Sequence, residues 1–217
     1  NSRDTLATEL NVLLEFNPVL PAKYRNADIV MLGNIDPMLQ LNVIKQMESK
    51  PKLIIMDTMN FWMDSTPEQL NAVIKEVDVL TINDAEARQL SGEFSVVKAA
   101  QKILTMGPKF LVIKKGEHGA LLFHKNHVFF APALPLEEVF DPTGAGDTFA
   151  GGFVGWLDKT KDFSFDNMKR AVIYGSAMAS FCVEKFGTER LQTLTPDQID
   201  ERVQEFISLV QVDIDLV

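Results

Sequence analysis

Short, unbroken apolar runs alternate along the chain with longer stretches in which apolar residues recur every three or four positions. Residues 29–32 form the first run, entered from Asn26-Ala27-Asp28 and left through Gly33-Asn34. From Pro37 to about Met47, Leu39, Val43, Ile44 and Met47 keep helical spacing, and Pro51 ends that stretch. A second run, 53–56, stops at Asp57. Pro67, after Ser65-Thr66, suits the first position of a helix with Leu70, Val73 and Ile74 on one face. Residues 77–82 are the third run, followed by Asn83, and a helix over about 96–106 leads through Gly107-Pro108 into a fourth run at 110–113. Runs that are apolar throughout fit strands covered on both faces by helices. Strand and helix in regular succession predict a three-layer α/β/α, Rossmann-like domain around a mainly parallel sheet.

The pattern changes after residue 119. Residues 120–123 and 128–131, joined by His124-Lys125-Asn126-His127, predict a hairpin at the sheet edge. From Gly146 onward the chain reads as nearly all helix, over about 147–158, 166–183 and 196–210. A strand over 5–10 is the single element expected before the first strand–helix unit. No internal repeat, Ser/Gly linker or charge block marks a boundary, so residues 1–217 are read as one domain.

Composition narrows the class. With 46% hydrophobic and 24% charged residues, disorder is excluded as the main theme. Twenty-one basic against 30 acidic residues give a net charge of −9, which excludes a non-specific grip on nucleic acid or anionic lipid but leaves a local phosphate site open. No apolar run reaches the ~18 residues of a membrane span, and charged residues among the first 25 speak against a signal peptide. The lone Cys182 cannot form an internal disulfide, which fits a cytoplasmic protein.

Seven of the 12 glycines fall between Gly116 and Gly155, and the densest segment is Asp141-Pro142-Thr143-Gly144-Ala145-Gly146-Asp147-Thr148-Phe149. Glycines at a helix start bring bare N–H groups to one point, where the helix dipole adds to an anion site. A Walker A loop is excluded because Asp147, not Lys, follows Gly146. A dinucleotide fingerprint, and with it an NAD-dependent dehydrogenase, is disfavoured because Phe149 stands where its third glycine belongs. A carboxylate inside a phosphate cradle repels the ligand, so Asp147 needs a reason. It can accept the proton of an attacking hydroxyl while the N–H groups stabilise the phosphoryl charge. It can also simply cap the helix. Gly151 and Gly152 are assigned to close helix packing.

This segment resembles the C-terminal signature of the ribokinase-like (PfkB) carbohydrate kinases. Asn83-Asp84-Ala85-Glu86 resembles the family's Asn-x-x-Glu motif, Lys114-Lys115-Gly116-Glu117-His118-Gly119-Ala120 its nucleotide-side glycine loop, and Asp57-Thr58-Met59-Asn60 the Asp-x-x-Asn segment of sugar-kinase members. The four lie in family order across nearly the whole chain. The resemblance implies an ATP-dependent kinase acting on a hydroxyl of a small sugar, or alternatively of a nucleoside as in adenosine-type kinases. It implies Asp147 as catalytic base, Gly144, Ala145 and Gly146 as anion hole, and Asn83 and Glu86 as organisers of Mg²⁺, its waters and the phosphates. Lys114, Gly116 and Gly119 would line the ATP side. Gly175 and Met178, within Tyr174-Gly175-Ser176-Ala177-Met178, would wall the adenine pocket. Asp141 and Thr143 match positions that hold an activating monovalent cation, usually K⁺. Asp57 and Asn60 are candidates for substrate contact.

Family members carry their first strands, most sugar contacts and a β lid ahead of the region where this sequence starts. The expectation is a ribokinase fold with its N-terminal strands and lid largely absent, apart from a remnant at 3–16. The sequence is therefore read as a fragment of a longer kinase; relatives often dimerise through that lid, which leaves a homodimer open for the intact protein. The rival is a non-catalytic nucleotide-binding relative. Several plainer readings stand beside these. Asn83 and Glu86 also fit a capping box. His118, His124 and His127 read as exposed hairpin histidines rather than metal ligands. Cys182 and Phe61-Trp62-Met63 read as core, and the acid-rich C-terminal helix as a solvated outer helix.

Overall fold

The computed structural model describes residues 8–212. Four parallel strands, β1 (Ile29–Leu32), β2 (Leu53–Asp57), β3 (Val79–Asn83) and β4 (Phe110–Lys114), lie side by side in chain order. The hairpin of β5 (Ala120–His124), antiparallel to β4, and β6 (His127–Ala131), antiparallel to β5, completes a six-stranded sheet. Between the parallel strands run α1 (Pro37–Lys45), α2 (Asn60–Ser65), α3 (Pro67–Ile74), α4 (Asp84–Ser91) and α5 (Val96–Leu104). After the hairpin come α6 (Ala145–Thr160), α7 (Phe165–Cys182) and α8 (Pro196–Val210).

Alternate residues of each buried strand serve opposite layers, because successive side chains point to opposite faces. Ile54, Met56, Leu80, Ile82, Leu111 and Ile113 pack with Leu70, Val73, Ile74 and Ile103 of α3 and α5. Leu53, Ile55, Val79, Phe110 and Val112 pack with Phe149, Phe153, Leu157 and Val172 of α6 and α7. Side chains such as Ile55, Leu80 and Leu111 are fully buried, each contributing roughly 1.5–3 kcal/mol. This is the three-layer arrangement that the continuous apolar runs require.

The expectation for the first residues shifts, and that for the C-terminal helix stands. The strand expected over 5–10 lies partly outside the described residues, and residues 8–10 have no regular structure; the rest of the supposed remnant, through residue 16, includes a 3₁₀ turn at Asn11–Leu14. The C-terminal helix is the mostly exposed outer helix expected, docked by one narrow face. Val203 and Phe206 of α8 are buried against Ala177 of α7, and Arg202 bonds the Ser180 hydroxyl and the Glu184 carboxylate, both at 2.7 Å. No helix among the described residues is long and apolar enough to cross a membrane.

Because β2, β3 and β4 are parallel, Asp57, Asn83 and Lys114 all end their strands at one edge of the sheet. Open α/β sheets bind ligands outside that edge.

Candidate active site

The loop before α6 is pinned to the end of α7. The N–H groups of Phe140 and Asp141 both donate to the Val183 carbonyl, at 2.8 and 3.3 Å. Thr143 N–H donates to Asp141 Oδ1 at 2.9 Å, and Cys182, buried as expected, lies with Sγ 3.7 Å from the Thr143 carbonyl. Gly144 then takes φ +80°, a left-handed conformation that strains any residue with a Cβ. It is the N-cap of α6, and no side chain caps that helix.

The consequences for the first turn are specific. Ala145 N–H is taken by the Pro142 carbonyl at 3.2 Å and Thr148 N–H by the Gly144 carbonyl at 2.9 Å. The N–H groups of Gly146 and Asp147 have no acceptor among the described residues. The Asp147 side chain is exposed and makes no hydrogen bond or ion pair among them. It therefore does not cap α6. Free donors at a helix start attract an anion.

Across from this turn, Lys114 Nζ lies 2.8 Å from Asp57 Oδ2, and a Cβ built on Gly146 would meet the same Nζ at 3.3 Å. Asp57 Oδ1 accepts the Thr58 N–H at 2.8 Å, so both its oxygens are engaged inside the protein. Asn60 is exposed at the start of α2, while Trp62 is buried and bonds Asn34 through Nε1 at 3.0 Å. The capping box foreseen at Asn83 and Glu86 is present: Asn83 Oδ1 accepts Glu86 N–H at 2.8 Å, and Glu86 Oε2 accepts Asn83 N–H at 2.7 Å. Burial pushes the Glu86 carboxyl above the ordinary glutamate value, and the nearby Asp57 charge adds to this. The Asn83 N–H and the Lys114 ammonium oppose the rise without cancelling it.

A cleft of about 560 Å³ opens between the turn and α7. Lys114, Gly116, Gly119, Ala145 and Gly146 border it, while its α7 wall is Ser176, Ala179, Ser180 and Val183. Gly175 and Met178, expected in that wall, belong instead to the α6–α7 contact. A Cβ on Gly175 would come within 2.8 Å of the Phe149 carbonyl, and one on Gly152 within 2.8 Å of Met178 Cγ. Gly152 is thus a packing glycine as expected, whereas Gly151 has open space around it. Gly119 borders the cleft but also has φ +82° and would place a Cβ 2.0 Å from the Ala131 carbonyl. Its backbone passes too close to β6 for any other residue.

Among the described residues no cluster of three or more His, Cys, Asp or Glu could hold a metal by itself. Magnesium ordinarily binds through one or two carboxylates plus substrate phosphates, and Glu86, whose Oε1 takes no hydrogen bond among the described residues, has that character. His118 and His127 are exposed, but His124 is half-buried, stacked on Phe110 at 4.4 Å with Nδ1 2.8 Å from the Lys109 carbonyl.

The pfkB family carbohydrate kinase model matches residues 22–194. The chain belongs to that family. A cytidine kinase of Thermococcus kodakarensis is 32% identical over 138 residues, covering 62% of this chain and 49% of its own. The solved nucleoside kinase of Methanocaldococcus jannaschii superposes with TM-score 0.68 at 26% identity, over 90% of this chain and 60% of that one. Arabidopsis thaliana ribokinase, solved with ribose and ATP, superposes with TM-score 0.66 at 25% identity, over 83% of this chain and 57% of that one. The chain spans about half the length of the curated relatives it matches.

Proposed function

We propose that this pfkB family chain carries the nucleotide-binding and phosphoryl-transfer part of an ATP-dependent kinase whose acceptor is a hydroxyl of a small sugar, in the manner of ribokinase. The observation that carries this reading is the start of α6: among the described residues, two of its N–H groups have no acceptor and the carboxylate of Asp147, one residue from Gly146, has no partner. ATP would supply the transferable phosphoryl group, and a divalent metal, which we take to be Mg²⁺, would offset its charge.

The remaining roles fall to the chain itself. Asp147 accepts the proton of the acceptor hydroxyl as the oxygen attacks phosphorus. The N–H groups of Gly146 and Asp147, in the turn shaped by Gly144, hold the charge of the transferring group without reorganising. Glu86 is the residue that would hold the metal, with the Asn83 backbone N–H fixing its carboxylate. The apolar cleft beside Gly116 and Gly119, closed by Ala179 and Val183, takes the nucleotide base. Asp141 and Thr143 belong to one tight turn and are proposed for a monovalent cation such as K⁺. A nucleoside acceptor is the second reading, favoured by the 32% identity to a cytidine kinase. The single free cysteine supports a cytoplasmic location.

The test is ATP consumption by this chain over a panel of pentoses, hexoses and nucleosides, with Asp147→Asn alongside. Turnover in the variant should fall on the order of 10²–10⁴-fold, with nucleotide affinity retained. Near-normal turnover would remove the base assignment. Absence of nucleotide binding in the parent chain would remove the kinase reading.

A further inference from the structure

The Asp57–Lys114 pair has a geometry that ribs of the fold do not need. β2 and β4 flank β3, so their backbones stand about 9–10 Å apart, and the lysine must reach over the end of β3 to meet the carboxylate. Both side chains are largely withdrawn from water, at 19% and 9% exposure. A buried ion pair is weak evidence of stabilisation, since apolar residues of like volume usually serve the fold as well. The ammonium also sits against the start of α6, the positive end of that helix dipole. Two positive features are adjacent there, and the carboxylate is what reconciles them. Only one of the three Nζ–H donors has an acceptor among the described residues, and Lys114 borders the cleft whereas Asp57 does not.

We propose that Asp57 is a positioning residue: it holds the Lys114 ammonium beside Gly146, ready for the terminal phosphates of a nucleoside triphosphate. Asp57 acts through Lys114 and touches neither nucleotide nor acceptor. Without it the bare ammonium is repelled by the helix start and turns toward the Glu86 carboxylate or to water. The proposal rests on the nucleotide reading of the cleft given above.

Calorimetric titration of the chain with the non-hydrolysable analogue AMP-PNP and with AMP, both with Mg²⁺, tests it. Asp57→Asn should weaken AMP-PNP roughly tenfold, the scale of one charge-assisted contact, and leave AMP within about twofold. Lys114→Met should show the same selective loss, and the double variant should bind no worse than Lys114→Met alone. Asp57→Glu, which restores the charge, should recover most of the affinity. Unchanged AMP-PNP binding in Asp57→Asn, an equal loss for AMP, or additive losses in the double variant would each overturn the proposal. If Asp57→Asn does not fold, a Lys114→Met variant without the selective loss overturns it as well. A parent chain that binds neither ligand refutes the nucleotide reading itself. Tight parent binding with an indifferent Asp57 refutes only the positioning role.

Discussion

Helices α4 and α6 start at neighbouring points near the ligand-facing edge of the sheet and are built in opposite ways. At α4 the N-cap side chain accepts the N–H of the third helical residue and the N-cap backbone N–H donates to the Glu86 carboxylate, so two donors are satisfied and that carboxylate is fixed. At α6 the N-cap is a glycine, and the carboxylate of the equivalent third residue, Asp147, has no partner among the described residues. Asp36, Ser95, Ser164 and Thr195 cap α1, α5, α7 and α8 with side chains, whereas α6 shares a start without a side-chain cap with the short helices α2 and α3. The difference separates two tasks. A sealed start holds one acidic side chain in place, whereas an open start keeps backbone donors available for a ligand.

Gly144→Ala should disturb the comparison most. The nearest atom to a Cβ there is Cys182 Sγ at 3.9 Å, so nothing collides and the loss is conformational. Holding alanine at φ +80° costs about 1–3 kcal/mol, which denaturant unfolding should register. Relief of that strain re-aims the N–H groups of Gly146 and Asp147, so triphosphate affinity should fall in the same variant. An alanine variant as stable as the parent would mean that the turn does not require the left-handed residue, and α6 would no longer be special.

Asn83→Ala attacks the sealed start. Removing the cap should cost about 1 kcal/mol, less than the backbone strain at Gly144. The Glu86 carboxylate keeps the backbone N–H of residue 83, but the first turn that carries it loses its cap and loosens, so binding of the metal–nucleotide complex should weaken while metal-free AMP binding is unchanged. Equal losses with and without metal would show that the box serves only the helix.

The fold was legible because its strands are apolar throughout and its helices keep their period, which needs no knowledge of partners. Strand β3 starts at Val79 rather than Val77 because Asp78 stands at the edge, its carboxylate accepting Ile54 N–H at 3.0 Å and pairing Lys109 at 2.8 Å. The glycine turn was legible for a similar reason: its geometry is local. What depended on helix phase was not. Gly175 and Met178 were assigned to the cleft wall, but successive residues on a helix point about 100° apart, and the wall is the neighbouring face, Ser176, Ala179, Ser180 and Val183. Their spacing of three and four residues carried the signal, without a reference to say which face meets the ligand. Contacts distant in sequence were equally hidden. Asp57 and Lys114 are 57 positions apart, and the clasp of Arg202 on Glu184, with its guanidinium 3.9 Å from the Phe181 ring centre, joins two helices whose own patterns do not mention each other.

The smallest expected effect probes the sealed start by pH. Glu86 carries a carboxyl whose pKa is raised in the folded protein, chiefly by burial. A raised acid binds its proton more tightly folded than unfolded. Its contribution to stability is therefore complete below the ordinary glutamate value and is lost as pH climbs through the raised one. Glu86→Gln keeps the capping-box geometry, since glutamine serves at the same position, and carries no titrating group. In metal-free buffer the parent chain should lose stability over the window just above the ordinary glutamate range, and the variant should lack that slope and be slightly more stable at neutral pH. Identical pH profiles would mean that Glu86 ionises as it does in water. The same substitution should weaken binding of the metal–nucleotide complex, because the charge that burdens the fold is the one a divalent cation requires. A variant both more stable and undiminished in metal-dependent binding would leave the buried carboxylate without a purpose at this site.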